Sequence, residues 1–140
     1  MAWEWFRKLA VNPTARMVAG ERGEDIAARH LRRQGYKVLV RRFNTQWGEI
    51  DIVARHGEVL VFVEVKTRKS EEFGAPSEAV TREKQRHMSK AALEYLRMLG
   101  NPQIYFRFDI VEVILPAGAR EATTVRIIPN AFDLSEPHIY

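Results

Sequence analysis

The chain has 140 residues, 46% hydrophobic and 29% charged, a balance that suits one soluble globular domain with a real core. It has no cysteine, which excludes disulfides, thiolate zinc sites and cysteine nucleophiles. The net charge of +4 is compatible with a polyanionic partner, and no apolar run approaches the ~20 residues needed to cross a bilayer.

Met1–Val11 sets Trp3, Trp5, Phe6 and Leu9 among charged residues, an aromatic arm over about residues 1–12. It packs on the domain or forms a partner contact. Without the uninterrupted apolar core of a signal peptide, the expected location is the cytoplasm. Asn12 and Pro13 suit the N-cap and first position of a helix, whose pattern runs to about Gln34 and ends at Gly35. Glu24, Ala27, Ala28 and Leu31 fall on one inward face. Taken alone, Glu24 reads there as a boundary residue that caps or snorkels. Arg29, Arg32 and Arg33 lie on other faces, as solvated charge or as phosphate contacts. Tyr36–Phe43 reads as a strand and Asn44–Trp47 as a turn, with Arg41, Arg42 and Trp47 near an approach to the next segment.

Gly48–Ala54 and Val59–Thr67 read as the two strands of a hairpin. The second is apolar from Val59 through Val63, the mark of a strand buried on both faces. His56-Gly57 fits a two-residue turn. That turn pairs Arg55 with Glu58, which sets Asp51 opposite Phe62 and Glu49 opposite Glu64. Glu49, Asp51, Glu64 and Lys66 then share one face. Asp51 and Glu64 become diagonal neighbours roughly 7–8 Å apart. Both can lean onto one Mg²⁺ or Mn²⁺, whose oxygen ligands sit at about 2.0–2.1 Å. Charge on a central strand is costly unless it is paired or bound to metal.

Beyond Lys66, Thr67–Ser70 are polar and Gly74-Ala75-Pro76 signals a loop. Thr81 caps a helix that runs to about Leu99, with Met88, Ala91, Ala92, Tyr95, Leu96 and Leu99 as its apolar stripe. Its first turns carry Arg82, Lys84, Gln85, Arg86 and His87, which suit phosphate contact. Ile104–Leu115 is a strand in which Arg107 and Asp109 form a same-face ion pair. Thr123–Ile128 is a last, edge strand, and the tail from about residue 129 reads as loop. The order is α-β-β-β-α-β-β, an α/β domain with a central mixed sheet flanked by helices.

This order, Asp51 on one strand and Glu64-Val65-Lys66 on the next resemble the restriction-endonuclease-like fold of the PD-(D/E)xK nuclease superfamily. The chain resembles more closely the uncharacterised bacterial YraN-like family. The likeness rests on Gly23-Glu24, GEIDIVA, VFVEVKTR, the FG…EAV…K segment and Arg107–Val111, over about Gly20 to Val113. The superfamily's proline before Asp51 is replaced by Ile50.

The resemblance implies a metal-dependent nuclease acting on nucleic acid, DNA above all, including branched or repair intermediates. Asp51, Glu64 and the Val65 carbonyl would bind Mg²⁺ or Mn²⁺. Lys66 would orient water or neutralise the reacting phosphate, and Glu24 would join the catalytic set as a further ligand. Glu49 is a secondary member, an outer ligand or an acid paired with a nearby arginine. Arg68, Lys84, Gln85 and Arg86 would contact the nucleic acid backbone. Branched-DNA resolvases act as dimers, which puts a homodimer among the expected partners, and no membrane is expected. Two other classes fit the same residues, a nucleic-acid-binding module that does not cut and a protein-interaction module that uses the aromatic arm.

Overall fold

The computed structural model describes residues 22–70 and 80–135. These form helix α1 (Arg22–Arg33), strands β1 (Lys37–Thr45), β2 (Gly48–His56) and β3 (Val59–Arg68), helix α2 (Arg82–Met98), and strands β4 (Tyr105–Ile114) and β5 (Thr124–Phe132). The predicted α/β order is observed. The aromatic arm, the Asn12–Pro13 helix start, the Gly74–Pro76 loop and the last five residues of the tail lie outside the described residues.

The five strands form one sheet in the order β1-β2-β3-β4-β5. β3 and β4 are parallel and every other neighbouring pair is antiparallel, so the sheet is mixed and β3 is its centre. The parallel pair needs a crossover, which α2 supplies. The apolar run of β3 then serves both faces. Leu60 and Phe62 pack with Met88, Ala92 and Tyr95 of α2 on one side. Val61 and Val63 pack with Ala27, Ala28 and Leu31 of α1 on the other. Burying each of these large side chains contributes about 1.5–3 kcal/mol. Thr81 caps α2 as expected, its hydroxyl accepting the Lys84 N–H at 3.1 Å.

Two expectations are corrected. The hairpin turn is Gly57-Glu58 rather than His56-Gly57, with His56 opposite Val59 and Ile52 opposite Val63. Gly57 has φ of 62°, the glycine-first pattern of a type II′ turn. The register therefore slides by two residues. Asp51 does not face Phe62, nor Glu49 Glu64; the next pair in the observed register sets Asp51 against Glu64. A slip of two leaves every side chain on its predicted face. The second correction concerns β5, which runs to Phe132 where the tail reads as loop. Phe132 stacks on Phe108 with ring centroids 4.8 Å apart, and that apolar contact extends the strand.

α1 lies close against the sheet because of Gly23. A Cβ there would collide with the Thr67 hydroxyl, and the Thr67 Cβ itself would stand 3.1 Å away. Gly23→Ala is expected to destabilise the fold by about 1–3 kcal/mol by pushing α1 outward. Thr67→Ala, which removes the hydroxyl, should recover part of that loss. Urea unfolding of both single variants and the double variant measures the coupling.

Candidate active site

The site forms where β2 and β3 part. The backbone ladder between them ends at Ile52 and Val63. At the next position the Asp51 carboxylate accepts the Val65 N–H through Oδ2 at 2.8 Å. A side chain thus replaces the backbone acceptor and opens a gap between the strands. In an extended strand the N–H and C=O of one residue point the same way, so the Val65 carbonyl also faces β2.

Around this gap, carboxylate oxygens of Glu24, Glu49 and Asp51 come within 4.8 Å of one another. Glu64 also acts on Asp51, its charge raising the Asp51 carboxyl more than that of Glu24 does. Glu64 belongs to the same neighbourhood but is held by two lysines. Lys66 Nζ lies 3.5 Å from its Oε1 and Lys84 Nζ lies 3.7 Å from its Oε2. Lys84, read from the sequence as a backbone contact, is therefore a member of the acidic site, placed there by the first turn of α2.

Glu24 reaches the gap because α1 presents it from its first turn, and Arg42 Nη2 donates to its Oε2 at 3.0 Å. The next acid, Asp25, pairs with Arg41 at 2.7 Å. Consecutive strand residues ordinarily point to opposite faces, yet Arg41 and Arg42 both serve the start of α1. Arg42 has φ of 57°, a left-handed conformation that breaks the alternation and costs on the order of 1–2 kcal/mol in a non-glycine residue.

Electrostatics follow from this crowding. The Asp51 carboxyl is pushed from the usual 3.8 up to about 7. Burial is the largest cause, followed by the negative charge of Glu64 and then of Glu24, while the Val65 N–H and Lys84 oppose the shift. Glu24 Oε1 and Glu64 Oε2 are buried with no hydrogen-bond partner among the described residues. Buried carboxylate oxygens left in that state are costly. Hard oxygen donors of this number suit Mg²⁺ or Mn²⁺, so the residues fit the group that the resemblance implies.

The other predicted contacts divide. Arg68 is placed on Glu112 of β4, Nε to Oε2 at 3.7 Å. Gln85 donates to the Val80 carbonyl at 3.0 Å and so braces the start of α2. Arg86 is exposed on that helix, and Lys90 Nζ sits 4.2 Å from the ring centroid of Trp47 beside the β1–β2 turn. Sequence reasoning missed the pairing of Arg42 with Glu24 and of Lys84 with Glu64. A balance of charge was the available signal, since four acids converging on one gap require cations nearby.

Residues 23–113 match the sequence model of the family described as Uncharacterised protein family UPF0102. The chain belongs to this family. The span runs from the start of α1 through most of β4 and contains Glu24, Glu49, Asp51, Glu64, Lys66 and Lys84. The UPF0102 protein GSU0650 of Geobacter sulfurreducens is 45% identical over 118 residues, 84% of this chain and 91% of the relative. The UPF0102 protein STH1475 of Symbiobacterium thermophilum is 46% identical over 113 residues, 81% of this chain and 94% of the relative. UPF0102 is the YraN family, as the sequence motifs indicate. No helix among the described residues is long and apolar enough to cross a membrane.

The raised Asp51 value makes the fold sensitive to pH. Between the usual 3.8 and about 7 the folded chain holds a proton that the unfolded chain has lost. Stability should therefore fall as pH rises through that window, by at most about 1.4 kcal/mol per pH unit. Thermal unfolding followed from pH 4.5 to 8 should show this slope, and Asp51→Asn should flatten it. Millimolar Mg²⁺ or Mn²⁺ should stabilise the wild type more at pH 8 than at pH 5, because the ion and the proton compete for the same carboxylate.

Proposed function

We infer that this protein is a metal-dependent nuclease that hydrolyses phosphodiester bonds in nucleic acid, with DNA and its branched or repair intermediates as the substrate class. The observation that carries the reading is the convergence of Glu24, Glu49 and Asp51 within 4.8 Å, beside Glu64 and Lys66, at a parting of two strands. Half-buried acids brought together, beside carboxylate oxygens that lack hydrogen bonds, do nothing for packing. They suit a divalent cation held by Asp51, Glu64 and Glu24, with the Val65 carbonyl facing the same gap. When bound, such an ion supplies Lewis acidity toward the scissile phosphate and activates water.

The chain's own residues account for the rest. Lys66 rests on Glu64 at 3.5 Å, where Glu64 would help to hold the ion and the Lys66 ammonium would neutralise charge on the reacting phosphate. Lys84, also on Glu64, stands at the first turn of α2, where basic charge and backbone N–H groups favour a phosphate. Arg42 holds Glu24 in place and does not need to touch substrate. Arg86 and Lys90 continue the basic edge of α2 and would position the strand without reading its sequence. In the reaction, water gives up a proton as its oxygen bonds to phosphorus, the bond from phosphorus to one ester oxygen breaks, and that leaving oxygen takes up a proton in turn. Substrates with two scissile strands call for two sites, so a homodimer is the assembly proposed.

The test is cleavage of labelled branched, flapped, single-stranded and duplex DNA, and of RNA, with Mg²⁺ or Mn²⁺, with binding recorded on the same samples. Wild-type cleavage is expected, with loss of about 10²-fold or more in Asp51→Ala and in Lys66→Ala. Binding of every substrate without cleavage would favour the module that does not cut. Absence of both would favour a protein partner.

A further inference from the structure

On the α1 side of the sheet, helix α1 and the loop between β4 and β5 enclose a cleft of about 250 Å³. Its apolar floor includes Ile26 and Val125. Arg29, His30 and Arg33 of α1 form one wall, and Arg120 with Glu121 comes from the loop. The loop is tied to the helix by Arg22 Nη1, which donates to the Ala119 carbonyl at 3.2 Å, so the two walls are held together.

We propose that this cleft is a second site, separate from the acidic gap, that binds a phosphate group. Three arginines, Arg29, Arg33 and Arg120, line it with His30 against one acid, Glu121. Among the described residues, Arg29, Arg33 and Arg120 make no ion pair or hydrogen bond. Basic residues at the end of a helix are ordinarily explained by its dipole, and that accounts for Arg32 and Arg33. It does not account for Arg120, which belongs to another element and adds like charge to the same cleft. Gathering like charges from two elements is unfavourable without an anion between them. Guanidinium forks match phosphate oxygens in geometry, and the volume suits a phosphate or diphosphate group. Arg29 lies about 8 Å along the helix axis from Glu24, so the two sites are on one helix at different turns. Arg120 lies beyond residues 23–113, the part of the chain that matches the family model.

The phosphate belongs either to a small phosphorylated compound or to a nucleic acid strand, and one experiment separates them. Inorganic diphosphate and a single-stranded oligonucleotide are titrated into the full-length chain without divalent ions, with the arginine Nε–H signals followed by NMR. Diphosphate is expected to shift Arg29, Arg33 and Arg120 together. Arg29→Ala and Arg120→Ala should each weaken it about tenfold. Asp51→Asn should bind it as the wild type does. Arg32→Ala removes a neighbouring charge on the same helix outside the cleft and should have no effect.

If the phosphate is that of a nucleic acid, Arg120→Ala also lowers the salt dependence of oligonucleotide binding by about 0.7 in slope. If it is that of a small compound, the oligonucleotide is unaffected. The proposal is overturned if Arg32→Ala costs as much as Arg120→Ala, since the effect is then only surface charge. It is equally overturned if neither ligand shifts the cleft arginines.

Discussion

One hydrogen bond governs the site. The Val65 N–H goes to the Asp51 carboxylate instead of to a backbone carbonyl of β2. It keeps a central-strand amide satisfied while letting the strands part, and it holds one Asp51 oxygen in a fixed place. β3 can tolerate such a break because its other edge is tied to β4 over ten residue pairs from Val59–Tyr105 to Arg68–Ile114. The gap opens toward the carboxyl end of the parallel pair, the end at which open α/β sheets usually present their ligands.

Two further constraints bring the remaining acids to that gap. Gly23 removes the side chain that would keep α1 away from β3, and Arg42 adopts a backbone conformation few side chains accept so that its guanidinium meets Glu24. Both are local disadvantages. A glycine in a helix costs up to about 1 kcal/mol relative to alanine, and the left-handed arginine costs a similar amount. Neither improves the core, since the apolar clusters on the two faces are built from other residues. Strain collected around one acidic gap is the pattern expected where position matters more than stability.

The sequence made the faces of the hairpin legible but not its register. Alternation with period two assigns a face to every residue of β2 and β3, and a slip of two residues does not change it. The turn was ambiguous because glycine serves at the second central position of one hairpin turn and at the first of another. What chooses between them is tertiary. His56 stacks on Tyr36 at 4.1 Å, and its Nδ1 lies 3.1 Å from Arg107 Nη2, which has only protons to give. Those contacts draw His56 into the strand and leave Gly57-Glu58 to turn. The cationic partners were hidden for a related reason, since Arg42 and Lys84 lie 18 and 20 positions from Glu24 and Glu64. No periodicity links such pairs. The extension of β5 to Phe132 likewise depends on Phe108, a neighbour only in space.

Buried acids at other places in the same sheet show what a structural carboxylate looks like. Asp109 is fully buried, and it is completely satisfied. Tyr36 donates to its Oδ2 at 3.0 Å, and Arg107 Nε and the Asn130 N–H donate to its Oδ1 at 2.9 Å each. Burial and then the Asp109 charge hold the Tyr36 hydroxyl above its ordinary value, so it stays a donor. Glu112 is nearly as buried and is flanked by Arg68 and Arg126. Such acids lock strands together. Around Asp51 the same residue types are arranged differently: oxygens of Glu24 and Glu64 lack hydrogen bonds, three carboxylates converge, and one of them is driven to about 7. A fold that satisfies Asp109 with three donors has the means to satisfy a buried acid. That it leaves this group short of donors is the physical reason to look there for a cation and for chemistry.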